Sequence, residues 1–247
     1  MIKIGNLTFN GIPRVAIAIS DKEQNKSIES RNIDIVEIRL DQFDRLDANY
    51  IRGNIITRKE LNLPLILTIR SRKEGGEKDI PDGRKSKLFK DIISLVDAVD
   101  IELRSPIVSK VIDIAKRNKK IIIISWHDFK STPDNRTLTD ILNKAKEKGA
   151  HIVKIAAKAN KAEDVNRLME FTQKNKSKNI ITIALGNIGS ISRLSFPMAG
   201  SLITYSYINK PSGFGQIPLD TLQEQLRLFY PQYNQYIIEK SGVIEDA

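Results

Sequence analysis

Eight short apolar, β-branched runs alternate with helix-like segments along these 247 residues, and no Pro/Gly/Ser-rich linker interrupts them. That pattern predicts an α/β fold, a single (β/α)8 TIM barrel. The length agrees, since such barrels run at about 250 residues. The runs are near-continuously apolar, which is how strands covered on both faces read. A doubly wound open sheet is the competing arrangement. It would offer a glycine-rich phosphate turn after its first strand, and SDKEQNKS at 20–27 is nothing like one.

In chain order the strand candidates are RVAIAI (14–19), IDIVEIRL (33–40), LPLILTIR (63–70), DAVDIEL (97–103), KIIIIS (120–125), HIVKIA (151–156), NIITIAL (179–185) and SLITYS (201–206). Between most of them lie helix candidates. Residues 86–96 place Leu88, Ile92, Leu95 and Val96 on one face, and 105–117 enter through Ser105-Pro106 and turn Ile107, Val108, Val111, Ile112 and Ala115 inward. Residues 137–149 start at a Thr137 cap and stop at Gly149, with further helices over 161–173 and 218–229. The whole of 1–247 reads as one catalytic domain whose polar tail, 233–247, is expected to be loosely held.

Composition narrows the chemistry. There is no cysteine, and His127 and His151 are the only histidines, so thiolate chemistry and multi-histidine metal sites are excluded. Counting leaves a carboxylate-bound magnesium ion open, but no acidic cluster suggests one, and no cofactor is expected. No signal peptide is legible, and the longest apolar run, 121–125, is far short of the ~20 residues that span a bilayer. A cytoplasmic protein without a membrane partner is the expectation. The net charge of +10 raises nucleic acid as a partner. Yet the lysines sit in KRNKK (116–120), KAKEK (144–148) and KNKSK (174–178), solvated helix ends before apolar runs. Aromatic residues are 6%, without the basic-aromatic interleaving that stacks bases. A positive field drawing in a small anionic substrate uses the charge better.

In a barrel, chemistry is built at the C-terminal ends of the strands. Lys154 is the most informative residue there, set among Ile152, Val153 and Ile155. Poor hydration disfavours an ammonium's charged form, and a neutral amine attacks carbonyl carbons. The plainer reading is a strand residue facing water. The other strand ends weigh against it. Strand two supplies Glu37, Arg39 and Asp41; strand three Arg70 and then Glu74 before a glycine pair; strand four Asp100 and Glu102. Strand five ends Ser125-Trp126-His127-Asp128-Phe129, the loop after strand seven holds Gly189, Ser192 and Arg193, and strand eight leads to Ser212-Gly213-Phe214-Gly215-Gln216. Singly, each is an ion pair, a capping histidine or a solvated turn. Jointly, polar groups at the same end of seven strands describe a site.

These residues resemble the type I 3-dehydroquinate dehydratases of the shikimate pathway, over about Val15 to Gln216. The motifs that carry the resemblance are EIRLD (37–41), TIRSRKEGGE (68–77), DIEL (100–103), SWHDF (125–129), VKIA (153–156), GSISR (189–193) and the SGFGQ loop (212–216). The resemblance implies a metal-free barrel, commonly a homodimer, that dehydrates 3-dehydroquinate to 3-dehydroshikimate through an imine. It assigns the imine to Lys154, general acid–base chemistry to His127 and orientation of that histidine to Glu74. Glu37, Arg39, Arg70, Arg193, Ser212 and Gln216 become the residues that grip the substrate's hydroxyls and carboxylate, with Arg39 and Arg70 also fixing Glu37 and Glu74. The chain departs from the family in AAKAN (156–160) where a Met-Pro pair is usual, in Ile183 and Leu185 where strand seven often has a methionine, and in Phe214 where proline is usual.

The chemistry suits these groups. A protonated imine places positive charge beside the developing carbanion, an electron sink that needs no metal. Histidine can move the protons because its ordinary pKa, ~6.5, is near the working pH. Two rival readings remain open on the sequence: a Schiff-base aldolase on a similar barrel, and a basic RNA- or anion-binding protein. The first usually handles phosphorylated sugars, and no phosphate cradle is visible beyond SGFGQ. The second leaves the strand-end set unexplained.

Overall fold

The structure is a computed structural model that describes residues 1–29 and 31–241. Among these, nine parallel strands form one curled sheet. Eight make the barrel: β1 (Val15–Ile19), β2 (Ile35–Arg39), β3 (Leu65–Thr68), β4 (Ala98–Glu102), β5 (Ile121–Asp128), β6 (Ile152–Lys158), β7 (Ile180–Leu185) and β8 (Thr204–Tyr207). The ninth, Ile217–Pro218, pairs beside β8. Neighbours pair in sequence order, and β8 returns to β1 through Thr204 opposite Val15. The circle closes where Leu202 N–H donates to the Ile180 carbonyl at 2.9 Å and Thr182 N–H donates to Ser201 Oγ at 3.0 Å. Closure leaves few free strand edges to aggregate.

The helices are α1 (Ala48–Lys59), α2 (Asp82–Ile92), α3 (Val108–Arg117), α4 (Asn135–Glu147), α5 (Ala162–Asn175), α6 (Ser192–Ala199), α7 (Leu219–Phe229) and α8 (Pro231–Ser241). β1 and β2 are joined by a single turn, Lys26–Glu29. No helix among the described residues is long and apolar enough to cross a membrane.

Two cores follow from the period-two alternation of strands. Val36, Ile38, Val153 and Ile155 face outward and pack against the helices, while Ala16, Ile35, Ile66, Ala98, Ile123, Ile152 and Ile181, one from each of β1 to β7, fill the barrel with Ile203, the residue before β8. Each fully buried isoleucine contributes about 1.5–3 kcal/mol. A hairpin of Lys3–Ile4 and Leu7–Thr8 brings Ile4 and Phe9 into the inner core and plugs its lower end.

Three local expectations are corrected. α4 starts at Asn135, because the Asp134 carboxylate accepts the Thr137 N–H at 2.8 Å and is the cap in place of Thr137. α1 and α6 go unannounced by periodicity: α1 buries only Ile51, Ile55 and Arg58, and α6 carries Pro197 inside it. The tail is not loose from residue 233. Tyr233 and Ile237 are wholly buried, Tyr236 Oη donates to Asp34 Oδ1 at 2.6 Å, and Lys240 Nζ donates to the Ile33 carbonyl at 2.8 Å. Polar neighbours hid an apolar stripe at helical spacing. The remainder of that expectation, 242–247, lies outside the described residues.

Candidate active site

The inward positions change character along each strand. β2 turns Ile35, then Glu37 and Arg39, toward the axis; β4 turns Ala98, Asp100 and Glu102; β6 turns Ile152, Lys154 and Ala156. Register sets Lys154 opposite Ser125 on β5 and Ile181 on β7. The apolar inner core is therefore a floor, and ionisable groups stand on it. The nine residues that the resemblance assigns to a site (Glu37, Arg39, Arg70, Glu74, His127, Lys154, Arg193, Ser212 and Gln216) line one cavity of about 160 Å³ at the C-terminal ends of the strands, whereas the strand-end residues Asp41, Asp100, Glu102 and Ser192 do not line it.

Lys154 is 5% exposed, but not for the reason its sequence neighbours suggest. Val153 and Ile155 face the helices. The ammonium instead donates to Glu37 Oε2 at 3.0 Å and to Asp100 Oδ2 at 3.2 Å, and it stands 4.1 Å from the centroid of the Tyr205 ring. Its surroundings are ionic and aromatic. Burial pushes the Glu37 carboxyl up, but the Lys154 ammonium, with Arg70 and Arg39, holds it below the usual range. Asp100 is likewise driven up by burial and brought well below the usual range by Arg70 and Lys154. Arg70 is locked by Asp100 Oδ1 at 3.0 Å and Ser125 Oγ at 2.6 Å, with Glu102 at 3.8 Å, and Ser125 Oγ–H donates on to Asp100 Oδ1 at 2.5 Å.

His127 is oriented from two sides. Glu74 Oε2 accepts the His127 backbone N–H at 3.0 Å and meets ring Nδ1 at 2.9 Å. A carboxylate oxygen already accepting one N–H acts as acceptor toward the other, so Nδ1 carries the proton and Nε2 is the free base. Burial, with Arg70 and Lys154 nearby, holds the imidazole well below 6.5. At neutral pH it is a neutral base, where the sequence suggested one poised near its ordinary value. Burial raises Glu74 above the usual carboxylate range against the pull of Arg104 and Arg70.

Arg104 is a residue the sequence reading missed. Its Nε donates to Glu74 Oε1 at 2.9 Å, a terminal nitrogen donates to the His127 carbonyl at 2.5 Å, and its guanidinium lies over Trp126 at 5.1 Å. The DIEL motif stops one residue before it. Gly75 sits at φ +87°, and a Cβ there would meet the Phe129 ring at 2.6 Å, so the loop that delivers Glu74 needs glycine. Phe129 stacks on His127 with centroids 6.4 Å apart.

The arginines divide into paired and unpaired. Arg39 forks onto Asp41 at 2.9 and 2.7 Å. So Arg39 fixes Asp41, and Arg70 fixes Asp100 with Glu102 nearby, not Glu37 and Glu74 as the sequence suggested: Glu37 is taken by Lys154, and Glu74 by His127 and Arg104. Arg193, near the start of α6, differs. It is 2% exposed, its Nε and one terminal nitrogen have no hydrogen-bond partner, and burial pushes its pKa down to about 10. A buried guanidinium with idle donors has the chemistry to take an anion.

Ile183, Leu185 and Ala156 form the apolar wall where the sequence departs from the family it resembles. The last loop closes on itself: Gln216 Oε1 accepts the backbone N–H of Ser212 at 2.7 Å and of Gly213 at 3.2 Å, and Gln216 Nε2 donates to Ser212 Oγ at 3.1 Å. Gly215, at φ +75°, lets the loop lie against Gly186, whose carbonyl would be 2.3 Å from a Cβ; Gly213 meets no such contact. Phe214 is 71% exposed and meets Phe129 edge-on at 6.5 Å. Among the described residues, no group of three His, Asp or Glu converges as metal ligands.

A closed parallel barrel with a buried amine, a neutral imidazole and an idle guanidinium around one cavity at its strand ends is a barrel enzyme. Comparison with known proteins is specific. The family model for type I 3-dehydroquinase matches residues 15–232. The 3-dehydroquinate dehydratase of Methanocella arvoryzae is 35% identical over 216 residues, covering 87% of this chain and 96% of that one. That of Aquifex aeolicus is 37% identical over 220 residues, covering 87% and 98%. The crystal structure of the Clostridium difficile type I enzyme, with covalent modified comenic acid, superimposes with a TM-score of 0.85 at 29% identity, covering 94% of this chain and 98% of that one. The chain belongs to the type I 3-dehydroquinase family, and it is a lyase.

Proposed function

We propose that this chain removes water from 3-dehydroquinate to give 3-dehydroshikimate through an imine at Lys154. The observation that carries the reading is the Lys154 amine, seated between Glu37 and Asp100 in the cavity that His127 also lines. Family membership supports the substrate, and the covalently modified ligand in the Clostridium difficile relative supports covalent chemistry.

Nζ gives up a proton and attacks the ketone carbon, forming a C–N bond. The carbonyl oxygen then leaves as water. Loss of a proton from the carbon next to the imine sends its electron pair into an enamine, which collapses to expel the β-hydroxyl, protonated by His127, as a second water. Hydrolysis of the imine consumes one water and returns the amine, so one water is lost overall. His127 Nε2 is free for these transfers because Glu74 holds Nδ1, and a positioned base of this kind contributes about 10²–10⁴ in rate. Arg193 takes the substrate carboxylate, since it is the guanidinium with donors to spare. Glu37, Arg39 and Arg70 face the hydroxyls, and Ser212 and Gln216 close over them once their mutual hydrogen bonds open. Residues 1–247 act as one catalytic domain, and the resemblance supports a homodimer, which a mass measurement in solution tests.

Borohydride added with 3-dehydroquinate should leave the reduced ligand attached at Lys154, located by mass spectrometry of peptides. Lys154→Ala should abolish turnover with the fold intact. Turnover in the alanine variant, or a ligand reduced free in solution with none on the protein, would remove the imine.

A further inference from the structure

Tyr205, on β8, belongs to none of the motifs that single out the other site residues, yet it meets Lys154 face-on at 4.1 Å from the ring centroid. With Glu37 and Asp100 it completes the surroundings of the amine. The residue is 4% exposed, and its hydroxyl is buried without a hydrogen-bond partner. Glu37 is close enough to bias the phenol, but no hydrogen bond of adequate geometry joins the two. Burial, with Glu37 and Asp100 nearby, raises the phenol well above 10, so at neutral pH it is a donor. Arg193 lies within its electrostatic reach. Among the described residues, Tyr205 and Arg193 are the cavity's two side chains with buried, unpartnered polar atoms.

We propose that Tyr205 is a further catalytic residue: its ring face holds the cationic nitrogen of Lys154 through the imine stage, and its hydroxyl donates to a substrate oxygen beside Arg193. The inference deepens the imine reading and rests on it. An ammonium has three N–H bonds and serves both carboxylates at once; a protonated imine has one and must release a carboxylate. Attraction to a ring face needs no N–H, only the charge, so it survives the conversion that breaks the ionic contact. Burying a phenol with an idle donor is costly, and that cost is recovered when a ligand oxygen arrives.

Two substitutions separate the halves. Tyr205→Phe keeps the ring and removes the donor: KM for 3-dehydroquinate should rise by about 10-fold, with borohydride trapping at saturating substrate unchanged. Tyr205→Leu removes the ring as well, and trapping at saturating substrate should slow by roughly 5–30-fold relative to the phenylalanine variant. Should the leucine variant not fold, fluorinated phenylalanines at 205 keep the shape while draining the ring's negative face, and the trapping rate should fall with each added fluorine. A phenylalanine variant with unaltered KM would sink the hydroxyl's role. Trapping rates indifferent to ring removal and to fluorination would sink the ring's. A wild-type enzyme that forms no adduct at Lys154 overturns the imine reading itself, a separate outcome from either.

Discussion

Replacing Arg193 with methionine sets stability against activity. The guanidinium is buried without partners for two of its nitrogens, and burial lowers its pKa from the ordinary arginine value of about 12.5 to about 10. Each tenfold loss of proton affinity is about 1.4 kcal/mol, so holding this charge inside the free enzyme costs about 3 kcal/mol as an upper figure. The sign follows from linkage. A base whose folded pKa is depressed destabilises the fold in full below that value, and the penalty fades only as the pH rises from about 10 toward the unfolded value. Neutral pH is within the region of full penalty. Methionine is neutral and of similar length, so Arg193→Met should stabilise the ligand-free protein by roughly 1–3 kcal/mol, a rise in Tm of several degrees for a chain of this size. The same change should lower kcat/KM by about 10²–10⁴, the loss of two charge-assisted hydrogen bonds at about 1.5–3 kcal/mol each. Thermal melts without ligand and steady-state kinetics on one preparation read both. A variant that melts lower than wild type would show the guanidinium to be paired in the free enzyme. An unaltered kcat/KM would show that it does not touch the substrate.

With His127 held well below 6.5, kcat/KM should stay level as the pH falls through 6.5 and decline only further into acid, as protonation removes the base; an acid limb centred at or above 6.5 would reject a neutral resting imidazole. Arg104→Ala frees one oxygen of Glu74 and the His127 carbonyl, and because Arg104 is half-exposed the expected fall in kcat is modest, about 3–10-fold, with an unaltered melting temperature. Gly215→Ala adds a methyl 2.3 Å from the Gly186 carbonyl at a positive φ, so the last loop cannot dock; kcat/KM should fall while trapping at Lys154 by a small ketone that does not need the loop persists. Tyr233→Ala should destabilise by about 3–5 kcal/mol through the cavity it leaves under α8, with normal kcat per folded molecule, measured by denaturant unfolding and active-site titration.

The barrel was legible because its signal is global. Eight apolar runs need no exact boundaries to count, and six of the eight strands begin and end within two residues of their runs. Where the sequence misled, the cause was local. Pro197 reads as a helix stop, but in α6 it falls late in a short element. The tail's composition is polar, yet Tyr233 and Ile237 lie four apart and need only one narrow contact on the barrel. The site was legible as a set of residue types at strand ends, and the pairing within it was not. Alternation along β2 says that Glu37 and Arg39 share a face; it does not say that Arg39 would turn away from Glu37 to Asp41, or that Glu37 would be left for a lysine 117 positions away. Tyr205 and Arg104 went unseen because a tyrosine in TYS and an arginine after DIEL have ordinary explanations. Only contact with Lys154 and Glu74 gives them meaning.

The pairing explains how a barrel can hold so many charges and still fold. Arg39 with Asp41, Arg70 with Asp100 and Ser125, and Lys154 with Glu37 and Asp100 each satisfy one another, and removing one member leaves the other buried and uncompensated. These pairs form a frame whose charges are matched before any ligand arrives. Among the described residues, the fully buried polar atoms of the cavity that are left without a partner are two nitrogens of Arg193 and the hydroxyl of Tyr205. An unsatisfied buried donor destabilises the free protein and is relieved by whatever supplies an acceptor, so these leftovers mark where a bound molecule's oxygens belong. On the proposed reading, that frame keeps Lys154 in place, Glu74 keeps His127 in place, and the unsatisfied donors of Arg193 and Tyr205 meet the substrate. Inorganic anions follow from the same logic: sulfate should raise the melting temperature of the wild-type protein and leave that of Arg193→Met unmoved, because binding stabilises only where a receptor waits.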